Sequence, residues 1–201
     1  MKHKNRKLVL GVGINDADYV VQPTINGKQV MCPFYQAWKN MMNRCYDPKC
    51  HAKYPTYIGC TVVEEWHSFM AFRSWMVQQN WEGKHLDKDL LIPNNKVYGP
   101  DACAFVDSQT NTLLNDSRAN RGDHPLGVHM HLGQYRAQLR VEGKITYLGR
   151  FETSEEAHMS YLTAKAINVM NVAYRQTDER VKSALIERSI SMSDQAMGSA
   201  L

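Results

Sequence analysis

Residues 134–141 read QYRAQLRV, with polar and apolar side chains in strict alternation. A period of two is typical of a β-strand that has one buried face and one exposed face. The apolar positions fall on one face and the polar positions on the other: Tyr135, Ala137, Leu139 and Val141 against Gln134, Arg136, Gln138 and Arg140. These residues therefore predict the central strand of a half-exposed sheet.

Turn residues and a helix start frame this strand. Segments from Val128 and from Ile145, set off by glycine-containing turns, read as two further strands. Thr153 and Glu156 have the spacing of a capping box, which predicts that a helix begins there and covers the apolar face of the sheet. Residues 124–176 thus predict a three-stranded antiparallel sheet packed on one helix.

The exposed face of this sheet carries side chains that suit nucleic acid. Arginine and glutamine are the donors that match guanine and adenine edges in the major groove, and arginine also binds phosphates. His129, His131 and Tyr147 lie on the flanking strands. Because any antiparallel sheet can carry a merely solvated polar face, the pattern alone leaves both interpretations open.

The run from Leu126 to Ala157 is similar to the AP2 DNA-binding domain. The resemblance lies in LGV at 126–128, GQYRAQL at 133–139 and YLGRFETSEEA at 147–157. In that family the exposed sheet face enters the major groove of DNA. The resemblance implies DNA contacts at six positions, which are His129, His131, Arg136, Gln138, Arg140 and Tyr147.

The first half of the chain predicts helices. Pro33 to Tyr46 carries aromatic and sulfur-containing residues at helical spacing, and a second helix is expected from Glu64 to about Asn80. Both have a broad apolar face, so they should pack together as a platform. Asn26-Gly27 predicts a hairpin before the first helix, and residues 47–60 read as a loop with a short strand after it.

A different pattern follows Gly83. It predicts a strand from His85 to Ile92, a polar turn, a strand from Ala102 to Val106 and a helix that begins near Asp107. Alternation along the first of these strands would place three titratable side chains on one face: His85, Asp87 and Asp89. Two acidic residues on such a face are also compatible with a solvated strand edge.

This segment resembles the HNH endonucleases of phages. The resemblance lies in KHLDKDLL at 84–91, NKVYGPDAC at 95–103 and SQTN at 108–111, and with the flanking parts it covers nearly all of residues 30–170. It implies a degenerate ββα-metal finger on the helical platform. Asp87 and Asn111 would hold Mg²⁺ or Mn²⁺, while Asn95 would orient the general base. Asp89, on the same predicted strand face as Asp87, is a further candidate ligand.

The general base is the point at which the sequence departs from that family. Lys88 stands where HNH enzymes have histidine, and an ordinary lysine, with a pKa of about 10.4, is protonated at neutral pH. Three alternatives follow: a desolvated Lys88 with a lowered pKa, Lys88 as an electrostatic clamp, or His85 as the base. Strand alternation favours His85.

Four residues raise the separate possibility of a structural Zn²⁺ site, since thiolates and imidazoles are its usual ligands. They are Cys45, Cys50, His51 and Cys60. Their spacing is not that of a standard zinc knuckle, so buried thiols are the simpler interpretation.

Composition limits the classes of protein. The chain of 201 residues has a net charge of +4, and residues 1–53 hold nine Lys and Arg against three Asp, which permits binding to a polyanion. No apolar run approaches the roughly 20 residues of a membrane span, and the basic start is too briefly apolar for a secretory signal. Five irregularly spaced cysteines favour a reducing compartment. We expect a phage-encoded protein in the cytoplasm of a bacterial host.

The sequence therefore predicts an α+β chain of four parts. They are a nuclease-like domain over 1–116, a linker over 117–123, an AP2-like domain over 124–176, and a C-terminal helix and tail over 177–201 that could pair with a second copy. The leading hypothesis is an HNH-type endonuclease that cuts double-stranded DNA by metal-dependent hydrolysis. The alternatives are a DNA-binding protein without cleavage activity and, third, an RNA-binding or protein-binding module.

Overall fold

The computed structural model describes residues 7–114 and 123–198. The fold is mixed α+β, and the chain divides into two units between Asp107 and Ser108. The predicted linker, 117–123, lies outside the described residues except for Asp123. None of the helices within these two ranges combines the length and the apolar character that a membrane crossing needs.

The first unit begins with a hairpin and two helices. Strands β1 (Thr24–Ile25) and β2 (Lys28–Gln29) pair antiparallel across Asn26-Gly27, whose φ angles of 51° and 75° are those that the predicted turn needs. Helix α1 (Pro33–Tyr46) has the predicted bounds. A short helix, α2 (Pro48–Lys53), and a 3₁₀ turn, Pro55–Tyr57, occupy the segment for which the sequence predicts a loop.

The second predicted helix of this unit is divided in two. After β3 (Thr61–Val62), a 3₁₀ turn covers Glu64–His67 and helix α3 covers Phe69–Met76. The break lies at Ser68, whose hydroxyl accepts a hydrogen bond from the backbone N–H of Ala71 and so starts a new helix. Asp16 accepts from the Ser68 hydroxyl at 2.6 Å and from the Met70 N–H at 2.9 Å, which fixes this start.

Short strands complete the unit: β4 (His85–Asp87), β5 (Val97–Tyr98) and β6 (Ala104–Val106). Strand β3 pairs parallel with β5, and β4 pairs antiparallel with β6. The predicted strand from His85 to Ile92 is wrong beyond Asp87. Asp89 therefore does not share a strand face with His85 and Asp87.

The core of the first unit lies where α1 packs on α3, as the predicted platform requires. Its largest fully buried side chains include Trp38, Trp66, Phe69 and Phe72. The indole N–H of Trp38 donates to the carbonyl of Trp66 at 2.7 Å, so the buried ring leaves no unpaired donor.

The second unit contains the predicted sheet and its helix. Helix α4 (Ser108–Leu113) precedes β7 (Val128–His131), β8 (Gln134–Val141) and β9 (Lys144–Phe151), which form an antiparallel sheet with β8 in the centre. Helix α5 (Ser154–Ala173) packs on the apolar face and begins with the predicted capping box of Thr153 and Glu156. Helix α6 (Glu179–Gly198) packs on α5 and extends well beyond Ser189, into residues for which the sequence predicts a frayed tail.

Candidate nucleic-acid interface and candidate cation site

The outer face of the β7–β9 sheet gathers all six residues that the sequence predicts to contact DNA. Residues paired across an antiparallel sheet lie on the same face. His129 is opposite Arg136 and Gln138 is opposite Tyr147, so the two flanking strands contribute to the face of β8. The outer face is thus formed by His129, His131, Gln134, Arg136, Gln138, Arg140, Ile145, Tyr147 and Arg150.

Arg150 is a charged member of this face that sequence reasoning missed. Simple alternation from Tyr147 would direct Arg150 toward α5, but the register shifts between Ala137 and Gln138 and a β-bulge results. Gly149, with φ of 140°, allows the bulge, and Arg150 then lies opposite Arg136. A glycine inside a strand pattern is the signal that could have indicated it.

The outer face is electropositive. Strands β7, β8 and β9 contain no Asp or Glu, and three arginines lie on the outer face: Arg136, Arg140 and Arg150. The pKa of His131 lies below its ordinary value, through loss of hydration and through the charges of Arg136 and Arg150. A surface that disfavours another positive charge favours an anionic ligand.

Two polar atoms on this face have no hydrogen-bonding partner among the described residues. They are Nε of Arg136 and Nδ1 of His129, both shielded from water. The Arg136 guanidinium lies 5.9 Å from the centre of the Tyr147 ring, a cation–π contact that restricts its orientation. Polar atoms of this kind are costly unless a ligand or water satisfies them.

The predicted cation ligands Asp87 and Asp89 lie together at the end of β4. Asp87 Oδ1 accepts hydrogen bonds from the backbone N–H groups of Asp89 at 2.9 Å and Leu90 at 2.7 Å, and this turn ends the strand. Burial raises the pKa of Asp87 above its ordinary value, and the charge of Asp89 contributes in the same direction. A nearby cation would offset both effects.

Lys88, at the position where HNH enzymes have their general base, and Asn95, predicted to orient that base, are in direct contact. Lys88 is only 7% exposed, and its Nζ donates to the carbonyl of Asn95 at 2.9 Å and to Asp89 Oδ2 at 3.1 Å. The Asn95 amide in turn donates to the carbonyls of Lys88 and Val97, both at 2.7 Å. Both contacts engage Nζ, so the Lys88 side chain ties the end of β4 to the loop that carries Asn95.

His85 lies on β4 two residues before Asp87, on the same face of the strand. It is exposed and lines a cavity of about 250 Å³ together with Arg44 and Lys84. Of the two side chains that the sequence offers as general base, His85 is therefore the one exposed to solvent.

The donor set fits Mg²⁺ in part. Carboxylate oxygens are its preferred protein ligands, and two carboxylates plus water or substrate suffice. Asn111 lies on α4 in the second unit, and its role as a third ligand stays a prediction, as does the HNH-like finger. Within 7–114 and 123–198, no three or more His, Cys, Asp or Glu residues are grouped for metal binding.

The four candidate zinc ligands include two buried thiols and a histidine that contacts a backbone carbonyl. Cys45 and Cys60 are buried, and burial together with the proximity of Cys60 raises the pKa of Cys45 to about 12. His51 Nε2 lies 2.9 Å from the carbonyl oxygen of Arg44. Zinc binds thiolates, so a zinc site here would require both thiols to lose their protons, and it stays a prediction.

The two candidate sites differ in chemistry. The outer face of the sheet offers guanidinium, amide and imidazole groups without acidic neighbours on its strands, and the β4 turn offers two carboxylates beside a buried lysine. Comparison with family models, with curated proteins and with solved structures finds no match to this chain.

Proposed function

We propose that this protein binds double-stranded DNA through the outer face of the β7–β9 sheet. The observation that carries the proposal is the acid-free face on which Arg136, Gln138 and Arg140 project from the central strand. The major groove, about 12 Å wide, admits β-strands, and arginine and glutamine read guanine and adenine edges there. The remaining basic groups of the face would neutralise backbone phosphates.

Duplex DNA is favoured over single-stranded RNA by the composition of the face. Recognition of single strands relies on several aromatic side chains that stack on bases. Tyr147 is the one Phe, Tyr or Trp among the nine residues that form the outer face, and its ring is engaged by Arg136. Fluorescence anisotropy with labelled duplex DNA, against duplex and single-stranded RNA competitors, tests this preference. Binding that single-stranded RNA displaces better than duplex DNA would exclude the proposal.

We predict that DNA affinity rises as the pH falls from about 8 to 6. Loss of hydration and the neighbouring cations hold the pKa of His131 below its ordinary value in the free protein, so this side chain is neutral at pH 8. Phosphates raise the pKa, the histidine takes up a proton on binding, and affinity increases by at most about tenfold per pH unit for each proton. The measurement is anisotropy across this range with His131→Gln as control, which should flatten the profile. A wild-type profile that does not change with pH would contradict the prediction.

We further propose, as a second activity, metal-dependent cleavage of the bound DNA. It is supported by the two carboxylates at the end of β4 and by the Lys88–Asn95 contacts that hold the adjoining loop. Asp87 and Asp89 would hold Mg²⁺, which when bound stabilises charge on the phosphodiester and on the leaving oxygen. Lys88 would fix the loop and offset charge, and His85 would take the proton from the attacking water. A DNA-binding protein without cleavage activity remains the alternative.

Replacing Asp87 with asparagine is expected to abolish Mg²⁺-dependent nicking of supercoiled plasmid. Asparagine retains the Oδ1 that accepts from Asp89 and Leu90, so the turn should persist. Mg²⁺ at a hundredfold over its Kd should stabilise the native protein by about 2.7 kcal/mol, and the variant by much less. The four tryptophans all lie before residue 82, so unfolding followed by tryptophan fluorescence reports the first unit.

The control for this experiment is Asp101→Asn, which removes an exposed carboxylate from the same unit. It should nick plasmid and respond to Mg²⁺ like the native chain. DNA binding without nicking or Mg²⁺ stabilisation in the native protein would favour the binding protein over the nuclease. If nicking occurs, its loss in His85→Ala but not in Lys88→Met would identify the base.

A further inference from the structure

The second unit contains a groove of about 700 Å³ along the edge of β8. Strand β7 pairs with β8 only over Gln134–Ala137, so beyond Gln138 the central strand is paired on one side alone, with β9. Helices α4 and α5 provide the other walls. The groove is lined by polar and charged side chains from β8, α5 and the turn after β8. Those that matter for ligand binding are Gln138, Arg140, Glu142, Tyr161, Lys165 and Asn168.

The groove contains cations in excess of anions. Lys165 is half-buried and forms no hydrogen bond or ion pair with any described residue. Arg140 is the second cation, with Nη1 held by the carbonyl of Gly143 at 3.1 Å. Glu142 is the acidic residue among the lining residues, and its carboxylate is paired with Arg175 at 2.9 Å. Among the described residues, the groove therefore offers no free counter-charge for Lys165.

Two further features indicate that the groove is prepared for a ligand. Asn168 is a polar residue that retains only 9% exposure and has no side-chain hydrogen bond within the described ranges. Burial lowers the pKa of Lys165 below its ordinary value, because a charged ammonium group that loses water and gains no partner is destabilised. An anion with acceptor oxygens would satisfy both side chains.

We propose that this groove binds a phosphate group, and that the phosphate belongs to the backbone of the DNA held by the outer sheet face. Gln138 and Arg140 belong both to that face and to the groove. A DNA strand that leaves the sheet at this edge passes Lys165, which would donate to a phosphate oxygen with Asn168 beside it. The inference rests on the proposed DNA binding and extends it to a residue on the opposite side of the sheet.

The test is the salt dependence of duplex binding by the full chain, measured by anisotropy, for Lys165→Met. Removal of one phosphate contact should reduce the slope of log K against log salt by about 0.9. Affinity at moderate salt should fall by about tenfold. The melting temperature should not fall, because methionine replaces a half-buried charge that has no partner. Lys165→Arg should restore the slope.

Lys182→Met serves as the matched control, since it removes the same charge from α6, where Lys182 pairs with Glu179. Its slope should equal that of the native chain. Native binding with an unchanged slope in Lys165→Met would overturn the groove assignment while leaving the proposed DNA binding intact.

A separate titration distinguishes the source of the phosphate. Inorganic phosphate is added to the native chain and to Lys165→Met, and the melting temperature is followed. If the native chain fails to bind DNA but is stabilised by phosphate through Lys165, the groove is a site for a free phosphate and the DNA assignment is overturned. If it binds neither, both the groove and the proposed function are wrong.

Discussion

Replacing Arg136 and Arg150 together with glutamine is expected to lower the affinity for duplex DNA by about a hundredfold. The two side chains lie opposite each other on β8 and β9 and project from a face without acidic residues. A hydrogen bond to a charged group contributes about 1.5 to 3 kcal/mol, and 1.4 kcal/mol is a factor of ten in affinity. Removing two such hydrogen bonds, with partial compensation by neighbouring cations, should weaken binding by about 3 kcal/mol. The measurement is fluorescence anisotropy at fixed salt.

The matched control removes two arginines elsewhere in the same unit. Arg180→Gln with Arg188→Gln gives the same change of net charge on α6. If affinity depended only on total charge, both double variants would weaken binding equally, and the sheet face would lose its assigned role. The single variant Arg150→Gln should weaken binding by about tenfold. A neutral result there would mean that the bulge does not present Arg150 to DNA.

Replacing Gly127 with alanine is expected to destabilise the second unit by about 4 kcal/mol, the sum of two effects. Gly127 has φ of 81°, a conformation that costs an L-residue about 1 to 2 kcal/mol. An added Cβ would overlap the ring of Tyr161, which is buried and stacks on His158. Overpacking of this kind costs about 1 to 3 kcal/mol. Hydrogen exchange of residues 128–151 measures the effect, whereas tryptophan fluorescence, which reports the first unit, should not change.

Gly133→Ala separates backbone strain from the steric clash. Gly133 has a similar φ of 77°, but nothing lies within 4 Å of its added Cβ, so this variant should lose only about 1 kcal/mol. If both variants lost the same stability, the Tyr161 side chain would have moved away from the added Cβ at residue 127. The close contact between Gly127 and Tyr161 would then contribute nothing to the effect. The double variant Gly127→Ala with Tyr161→Ala should cost less than the sum of its parts, because the two positions are in contact.

Much of the fold follows from local signals in the sequence. Pro33 starts α1, Asn26-Gly27 closes the first hairpin, and Thr153 with Glu156 starts α5, each as predicted. These features depend on hydrogen bonds and dihedral angles within a few residues of each other. The sequence-based prediction of the second helix was wrong because a residue far away in the chain determines where that helix begins. Asp16 fixes the start of α3 at Ser68 from a position 52 residues away, and no local pattern indicates it.

The residues of the candidate cation site stay a prediction, but the geometry that the sequence predicted for them was wrong. The resemblance pointed to Asp87, Lys88 and Asn95, but alternation placed Asp89 on a continuous strand. The strand ends at Asp87 because its carboxylate accepts from the two following N–H groups, as aspartate does in turns. The burial of Lys88 and its contact with the Asn95 carbonyl arise only when the loop folds back, seven residues along the chain.

The sequence by itself determined a three-stranded sheet, its covering helix and a polar face with Arg136, Gln138 and Arg140, since a period of two needs no distant contact. Only the tertiary structure decided that Arg150 joins that face and that Lys165 borders a groove at its edge. Both depend on packing between segments: the bulge at Gly149 is defined by its pairing with β8, and the groove by the early end of β7. Alternation assigns side chains within one strand, whereas register and burial are properties of the assembled sheet.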